Sequence, residues 1–206
     1  MDIKQIESII NLYKMTNKLK TTLRSGWIGW KLENTRIESV AEHIFGTCML
    51  AVGICSAKKI DIDINKVITM LVLHETEEII IGDLTLFDKE ISNKKENGRK
   101  AVLEIFKDFD NADYFLELIA EFEDGKTKEA QFAFQCDKLE ADLQCALYNN
   151  NFNLEKVDSF IINDKRIKAL QEQGYNSVAE WFLQHDKPLY KDEFLKIANY
   201  LENNKI

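Results

Sequence analysis

The chain holds only three histidines, His43, His74 and His185, and two of them stand among several carboxylates. His74 opens the run His74-Glu75-Thr76-Glu77-Glu78, which leads to Gly82-Asp83. His43 directly follows an acid in Glu38-Ser39-Val40-Ala41-Glu42-His43. Imidazole nitrogens and carboxylate oxygens brought to one point hold a divalent ion, and such an ion makes water nucleophilic near neutral pH. Asp137 is a further candidate, an acid in the apolar company of Phe132, Phe134, Cys136 and Leu139. A charge in such surroundings is costly unless it is paired or bound to a metal. His43, His74, Glu75 and Asp137 together make a mixed nitrogen and oxygen donor set. That set suits Mn²⁺, Co²⁺, Zn²⁺ or Fe²⁺; Mg²⁺ is less natural with two nitrogen ligands. His185, with only Asp186 beside it, reads as a surface residue.

These residues need helices to position them. One proline and eight glycines in 206 residues leave little material for many tight turns, which favours long helices over a sandwich or barrel. Ile6, Ile9, Ile10 and Tyr13 at helical spacing predict a first helix over 3–18. Residues 19–38 read as irregular. Ser39 followed three residues later by Glu42 is a capping box, so a helix should run from there to about Lys59 with His43 in its first turn. Asp63 can cap a third helix, Ile64 to Ile81, closed by Gly82 in a left-handed position. On one continuous helix His74 and Glu78, four residues apart, share a face.

A loop is expected around Leu84 to Ser92, then helices near 93–109, 111–123 and 127–149. Shorter helices are expected near 153–162, 164–173, 177–184 and 191–203. Ser177-Val178-Ala179-Glu180 repeats the capping pattern independently, without a duplicated domain. The basic run Lys94 to Lys100 reads as a solvated face, and Glu77 as a solvated acid. The expected architecture is all-α, one helical domain over 1–206. Its metal-site core lies at about 5–150, with C-terminal helices at about 151–206 packing on it.

The formal net charge of −8 argues against a nucleic-acid polymer as partner, because backbone binding needs a basic footprint. It does not argue against a small phosphate ligand, since a metal supplies local positive charge. Cys48, Cys55, Cys136 and Cys145 form no CxxC pair and read as small core residues in a reducing compartment. The N-terminus lacks the apolar block of a signal peptide. No stretch approaches the ~20 uninterrupted apolar residues of a membrane span. A cytoplasmic protein with no membrane partner is expected.

The ordered set Glu42-His43, His74-Glu75, Glu78, Gly82-Asp83 and Asp137-Lys138-Leu139-Glu140 resembles the HD-domain metal-dependent phosphohydrolases. Within them it is similar to the branch of 5′-deoxynucleotidases and related nucleoside-monophosphate phosphatases. Arg36-Ile37-Glu38-Ser39-Val40 and Arg24-Ser25-Gly26-Trp27 also fit that pattern. The resemblance implies a helical HD-type domain in which His43, His74, Glu75 and Asp137 hold the metal. It implies catalytic roles for Glu78, which handles a proton, and Asp83, which orients water or a sugar hydroxyl. It implies a phosphate grip from Arg24, a sugar and base pocket shaped by Trp27, a nucleotide substrate and a homodimer. One position departs from the family: its signature has aspartate where this chain has Glu75. Two readings follow. The chain is a phosphomonoesterase acting on nucleoside 5′-monophosphates. Alternatively Glu75 has impaired or redirected the site, leaving a nucleotide-binding or interaction protein, or a hydrolase of another phosphate ester.

Overall fold

The computed structural model describes residues 1–85 and 93–204. The part of the expected Leu84 to Ser92 loop at 86–92 lies outside the described residues. Among those described the fold is all-α, and the only β-type pairings are two isolated bridges, Leu23 with Ser39 and Leu32 with Phe152. The chain forms two compact units. One comprises Met1–Ser25 and Glu38–Phe134, the other Gly26–Ile37 and Gln135–Ile206.

The first unit carries α1 (Ile3–Thr16), α3 (Val40–Ala57), α4 (Ile64–Leu73), α5 (Glu78–Ile81), α6 (Lys94–Phe106) and α7 (Ala112–Asp124). Between α1 and α3 lies α2 (Ser25–Gly29), most of which belongs to the second unit. The long helix α8 (Lys128–Tyr148) starts in the first unit and continues into the second. Ser39 starts α3 as expected. Its hydroxyl accepts from the Glu42 N–H, and the Glu42 carboxylate accepts from the Ser39 N–H at 2.7 Å. The reciprocal pair satisfies two of the donors that every helix start leaves orphaned. Asp63 caps α4 by accepting from the Asn65 and Lys66 N–H groups. Gly125 ends α7 with φ 62°, the left-handed position that glycine adopts without steric cost.

The core of the first unit is built on Leu19, Val40, Ile79, Val102, Ile105, Phe106 and Ile119. Helix α1 packs on it through Leu12 and Met15, whereas Ile6, Ile9, Ile10 and Tyr13, whose spacing predicted the helix, stay exposed. The spacing identified the helix, and tertiary packing selects Leu12 and Met15 as the residues it presents to the core. Among the described residues α3 is long and apolar enough to cross a membrane by length and composition alone. Its Glu42 and His43 are polar, and His43 is fully buried.

The second unit carries α9 (Ser159–Ile162), α10 (Lys165–Glu172), α11 (Val178–Asp186) and α12 (Asp192–Asn203). Its core gathers Trp27, Trp30, Cys145, Tyr148, Val157, Ile161, Ile167, Val178 and Trp181. Ser177 and Glu180 form the second capping box. The expected helix near 153–162 shrinks to α9, because the residues before it are tied to Glu33, whose carboxylate accepts from Asn153 and Lys156. None of the four cysteines is in a disulfide.

The segment joining α11 to α12 is held by the Tyr190 hydroxyl, which donates to Asp142 on α8 at 2.6 Å. Burial pushes the Asp142 carboxyl up to about 7 from its usual 3.8, while the Tyr190 hydrogen bond pulls it down. Between those values the folded state holds a proton that the unfolded chain has released, so this group makes stability fall as pH rises from about 4 to about 7. Tyr190→Phe removes the donor from a buried acceptor and is expected to cost about 1–3 kcal/mol above pH 7, and less at pH 5. Urea unfolding at the two pH values checks this; equal losses would mean that the worth of the hydroxyl does not depend on the charge of Asp142.

Candidate metal centre

The expected helix over Ile64 to Ile81 breaks at His74. Helix α4 ends at Leu73, residues 74–77 form turns, and α5 begins at Glu78. The breaking turns bond three residues back: the Thr76 N–H to the Leu73 carbonyl at 2.9 Å and the Glu78 N–H to the Glu75 carbonyl at 3.1 Å. Such winding advances about 120° per residue rather than about 100°. Residues 74 and 78 therefore sit about 120° apart, not about 40° as on a single α-helical face. With this winding Glu75 and Glu78, three residues apart, fall on one face, and His74 stands to one side of them. Gly82 follows with φ 76° and ψ 169°, a backbone region open essentially to glycine alone, and it brings Asp83 back toward the cluster.

His43 arrives from the first turn of α3 and is fully buried. The donor atoms of His43, His74 and Glu75 all lie within 4.8 Å of one another. Glu75 Oε1 is 4.0 Å from His43 Nε2 and 3.8 Å from His74 Nε2. The rings of His43 and His74 are 5.5 Å apart, and Phe122 meets the His74 ring edge-on. His74 Nδ1 lies 2.7 Å from the Leu71 carbonyl. A carbonyl only accepts, so Nδ1 carries a proton, which leaves Nε2 as the ring atom able to meet a metal. This is how metal-binding histidines are commonly oriented. Two atoms each about 2.1 Å from one ion stand roughly 3.0–3.4 Å apart. The group therefore fits a divalent ion after shifts of less than an ångström.

Around this triad the carboxylates are crowded. Glu78 is fully buried. Burial first, then Glu75 and Asp83, push its carboxyl up to about 10. Glu77, expected in solvent, is instead mostly buried, and burial with Glu75 pushes it up to about 7. Its side chain packs closely over Gly98, with Cγ 3.3 Å from where a Cβ there would sit. Two cations answer these acids. Lys94 Nζ lies 3.4 Å from Glu78 Oε1. Burial pulls the Lys94 ammonium down, but Glu75, Glu78, Glu77 and Asp83 together hold it above its ordinary value. Lys94 therefore leaves the basic run that reads as a solvated face, while Lys95, Arg99 and Lys100 remain exposed. No local pattern separates Lys94 from its neighbours.

The other cation is Arg24, whose Nη1 lies 3.1 Å from Glu75 Oε1 and 3.9 Å from Asp83 Oδ1. It is delivered by the strand-like pairing of residues 22–24 with 38–40. There the Arg24 N–H bonds the Glu38 carbonyl at 3.1 Å and the Val40 N–H bonds the Thr22 carbonyl at 2.9 Å. Asp83 fastens the same loop. Its Oδ2 accepts from the Ser25 N–H at 2.6 Å, and the Ser25 hydroxyl lies 2.8 Å from that oxygen and 2.6 Å from the Asp83 carbonyl. Ser25 carries no sequence signal for this role beyond its place between Arg24 and Gly26.

The first unit thus brings together His43, His74, Glu75, Glu78, Asp83 and Arg24. Trp27 and Asp137 belong to the second unit. Trp27, expected to shape a substrate pocket, is only 4% exposed, with its ring 5.7 Å from Tyr148 and 5.3 Å from Phe182. An indole enclosed this way anchors α2 and offers little face for a base. Asp137 lies on α8, 9% exposed, with its Oδ2 3.2 Å from the Lys138 ammonium.

An all-α chain with two buried histidines and adjoining acids in this order belongs to the HD domain family, whose model matches residues 16–177. It is a hydrolase. The chain is 32% identical over 153 residues to the 5′-deoxynucleotidase HDDC2 of Dictyostelium discoideum, covering 69% of this chain and 78% of that protein. It is 31% identical over 160 residues to the 5′-deoxynucleotidase hdd1 of Schizosaccharomyces pombe, covering 72% and 76% respectively. Its fold is similar to that of a predicted metal-dependent phosphohydrolase from Magnetospirillum magnetotacticum. The TM-score there is 0.68 at 22% identity, over 97% of this chain and 90% of that one.

Proposed function

We infer that the protein is a divalent-metal-dependent phosphomonoesterase hydrolysing (deoxy)nucleoside 5′-monophosphates to nucleoside and phosphate. The observation that carries this reading is the convergence of His43, His74 and Glu75 donor atoms with an arginine fork against Glu75 and a buried acid at Glu78. The names of the relatives, 5′-deoxynucleotidases, supply the substrate class. The resemblance adds Asp137 as fourth ligand, a buried carboxylate of the kind that a cation offsets. The family match takes in residues of both units, which favours reading the chain as one domain of this type.

A divalent ion, when bound, supplies the Lewis acidity that polarises the phosphate and activates water. The nitrogen donors favour Mn²⁺, Co²⁺, Zn²⁺ or Fe²⁺. Arg24 binds phosphate oxygens through a planar fork matched to that anion. Glu78, enclosed and rich in proton affinity, takes a proton from the attacking water or gives one to the leaving 5′-oxygen. Asp83 holds the Arg24–Ser25 loop in place and orients the groups beside it. Trp27 anchors α2 within the core of its own unit. A homodimer accords with the apolar residues Phe45, Met49 and Val52, which follow one side of α3 and are exposed in the single chain. A cytoplasmic setting accords with four cysteines outside any disulfide.

The second reading, an impaired nucleotide-binding protein, draws on one observation: Glu75 is engaged by Arg24. Phosphate release separates the two. Metal-stripped protein is given a panel of nucleoside 5′-monophosphates with Mn²⁺, Co²⁺, Zn²⁺ or Mg²⁺ added back. Metal-restored release is expected, and the preferred base and sugar follow from the panel. Folded protein that releases no phosphate with any of the metals would overturn the phosphomonoesterase and leave the binding protein.

A further inference from the structure

The oxygen of Glu75 that faces both imidazoles is also the one that Arg24 holds. Glu75 Oε1 lies 3.1 Å from Arg24 Nη1, 3.8 Å from His74 Nε2 and 4.0 Å from His43 Nε2. Both partners are well shielded, with side-chain exposures of 18% for Arg24 and 12% for Glu75. A carboxylate oxygen drawn toward a guanidinium offers less of its lone-pair density to a cation between the histidines. A guanidinium held by a carboxylate is likewise less available to a phosphate. The same two side chains are therefore claimed by two ligands.

We propose that Arg24 and Glu75 form an ion-pair latch that couples metal loading to phosphate binding. A cation that draws Glu75 toward the histidines loosens the latch and releases the Arg24 fork to phosphate, and phosphate taken by Arg24 frees Glu75 for the cation. The proposal rests on the reading of His43, His74 and Glu75 as metal ligands. The reach of Glu75 makes the latch possible. Aspartate, one methylene shorter, withdraws the oxygen by about 1.5 Å, which takes it out of hydrogen-bond range of Arg24. The residue that departs from the family pattern is then the one that creates the coupling. Asp83 does not replace Glu75 in the pair, because its Oδ1 is 3.9 Å from the guanidinium and its Oδ2 is committed to Ser25. Coupling of this kind is reciprocal: whatever factor the cation adds to phosphate affinity, phosphate adds to cation affinity.

The test is Mn²⁺ binding to the metal-stripped full chain, followed by calorimetry without substrate, for wild type, Arg24→Gln, Glu75→Asp and the double variant. Circular dichroism and thermal midpoints establish that each is folded, and Arg24→Lys, which keeps the charge but loses the fork, serves if Arg24→Gln does not fold. Removing Arg24 is expected to tighten Mn²⁺ by about tenfold when Glu75 is present and by less than about twofold in the Glu75→Asp background, a coupling typical of charged neighbours in contact. Inorganic phosphate is expected to tighten Mn²⁺ more in wild type than in Glu75→Asp. An equal effect of Arg24→Gln in both backgrounds would mean simple repulsion between two cations, and the latch would be wrong while the metal site stood. Folded wild type that binds no Mn²⁺, Co²⁺ or Zn²⁺ would overturn the metal site and the latch with it.

Discussion

His74→Ala is expected to abolish metal-dependent phosphate release, lowering kcat/KM by about 10³-fold or more, since the several kcal/mol that a Lewis-acid site contributes convert at 1.36 kcal/mol per decade. The imidazole is one of the converging donors, and its Nδ1 is tied to the Leu71 carbonyl so that Nε2 faces His43 and Glu75. The same substitution removes a ring packed against His43 and Phe122, so some loss of stability is expected even without metal, about 0.5–3 kcal/mol on the usual scale. Two thermal melts separate these effects. Excess Mn²⁺ at about 100 times its dissociation constant stabilises a binding-competent fold by about 2.7 kcal/mol. Wild type should gain that increment and the variant should not. A variant that still gains it, and still releases phosphate, would remove His74 from the metal centre.

How far the sequence could be read depends on whether a feature is local. The capping boxes at Ser39 and Ser177, the Asp63 cap and the Gly125 terminator act within a turn of themselves, and each appears where its residues predict it. The gathering of His43, His74 and Glu75 was legible for a different reason: in a chain with three histidines, two set among clustered acids are informative. The break at His74–Glu77 was not legible. No glycine or proline stands between Ile64 and Ile81 to mark it, and the apolar residues on either side read as one helix. Lys94, Ser25 and Tyr190 escaped for the same reason. Each acts on a residue far along the chain, namely Glu78, Asp83 and Asp142, and nothing in their immediate neighbours marks them. Trp27 illustrates the opposite error. An aromatic beside a candidate phosphate ligand suggests a base platform, but burying an indole is worth so much that core packing is the commoner fate.

Glu78→Gln is expected to lower kcat by about 10²–10⁴-fold, the usual contribution of a positioned proton-transfer group, while leaving the fold at least as stable as wild type above neutral pH. The two halves have one cause. The Glu78 side chain is fully buried, and burial together with Glu75 and Asp83 raises its carboxyl from 4.5 to about 10 in the metal-free protein. Between those values the folded state keeps a proton that the unfolded chain has lost. Stability therefore declines with rising pH across this window, at up to about 1.4 kcal/mol per pH unit for one group. Glutamine has nearly the same shape and cannot ionise, so it removes that slope. Lys94 keeps Glu75 and Asp83, and above pH 7 also Glu77, as acidic neighbours after the exchange, so the substitution does not strand a buried cation. Urea unfolding of metal-stripped protein at pH 6 and pH 9 should show the variant gaining on wild type at the higher pH, while the phosphate-release assay shows the rate lost. A kcat within about threefold of wild type would take proton transfer away from Glu78, because even the weakest general acid–base contribution exceeds that factor. A stability difference independent of pH would mean that the buried carboxyl is already ionised, held so by Lys94 rather than protonated against its acidic neighbours.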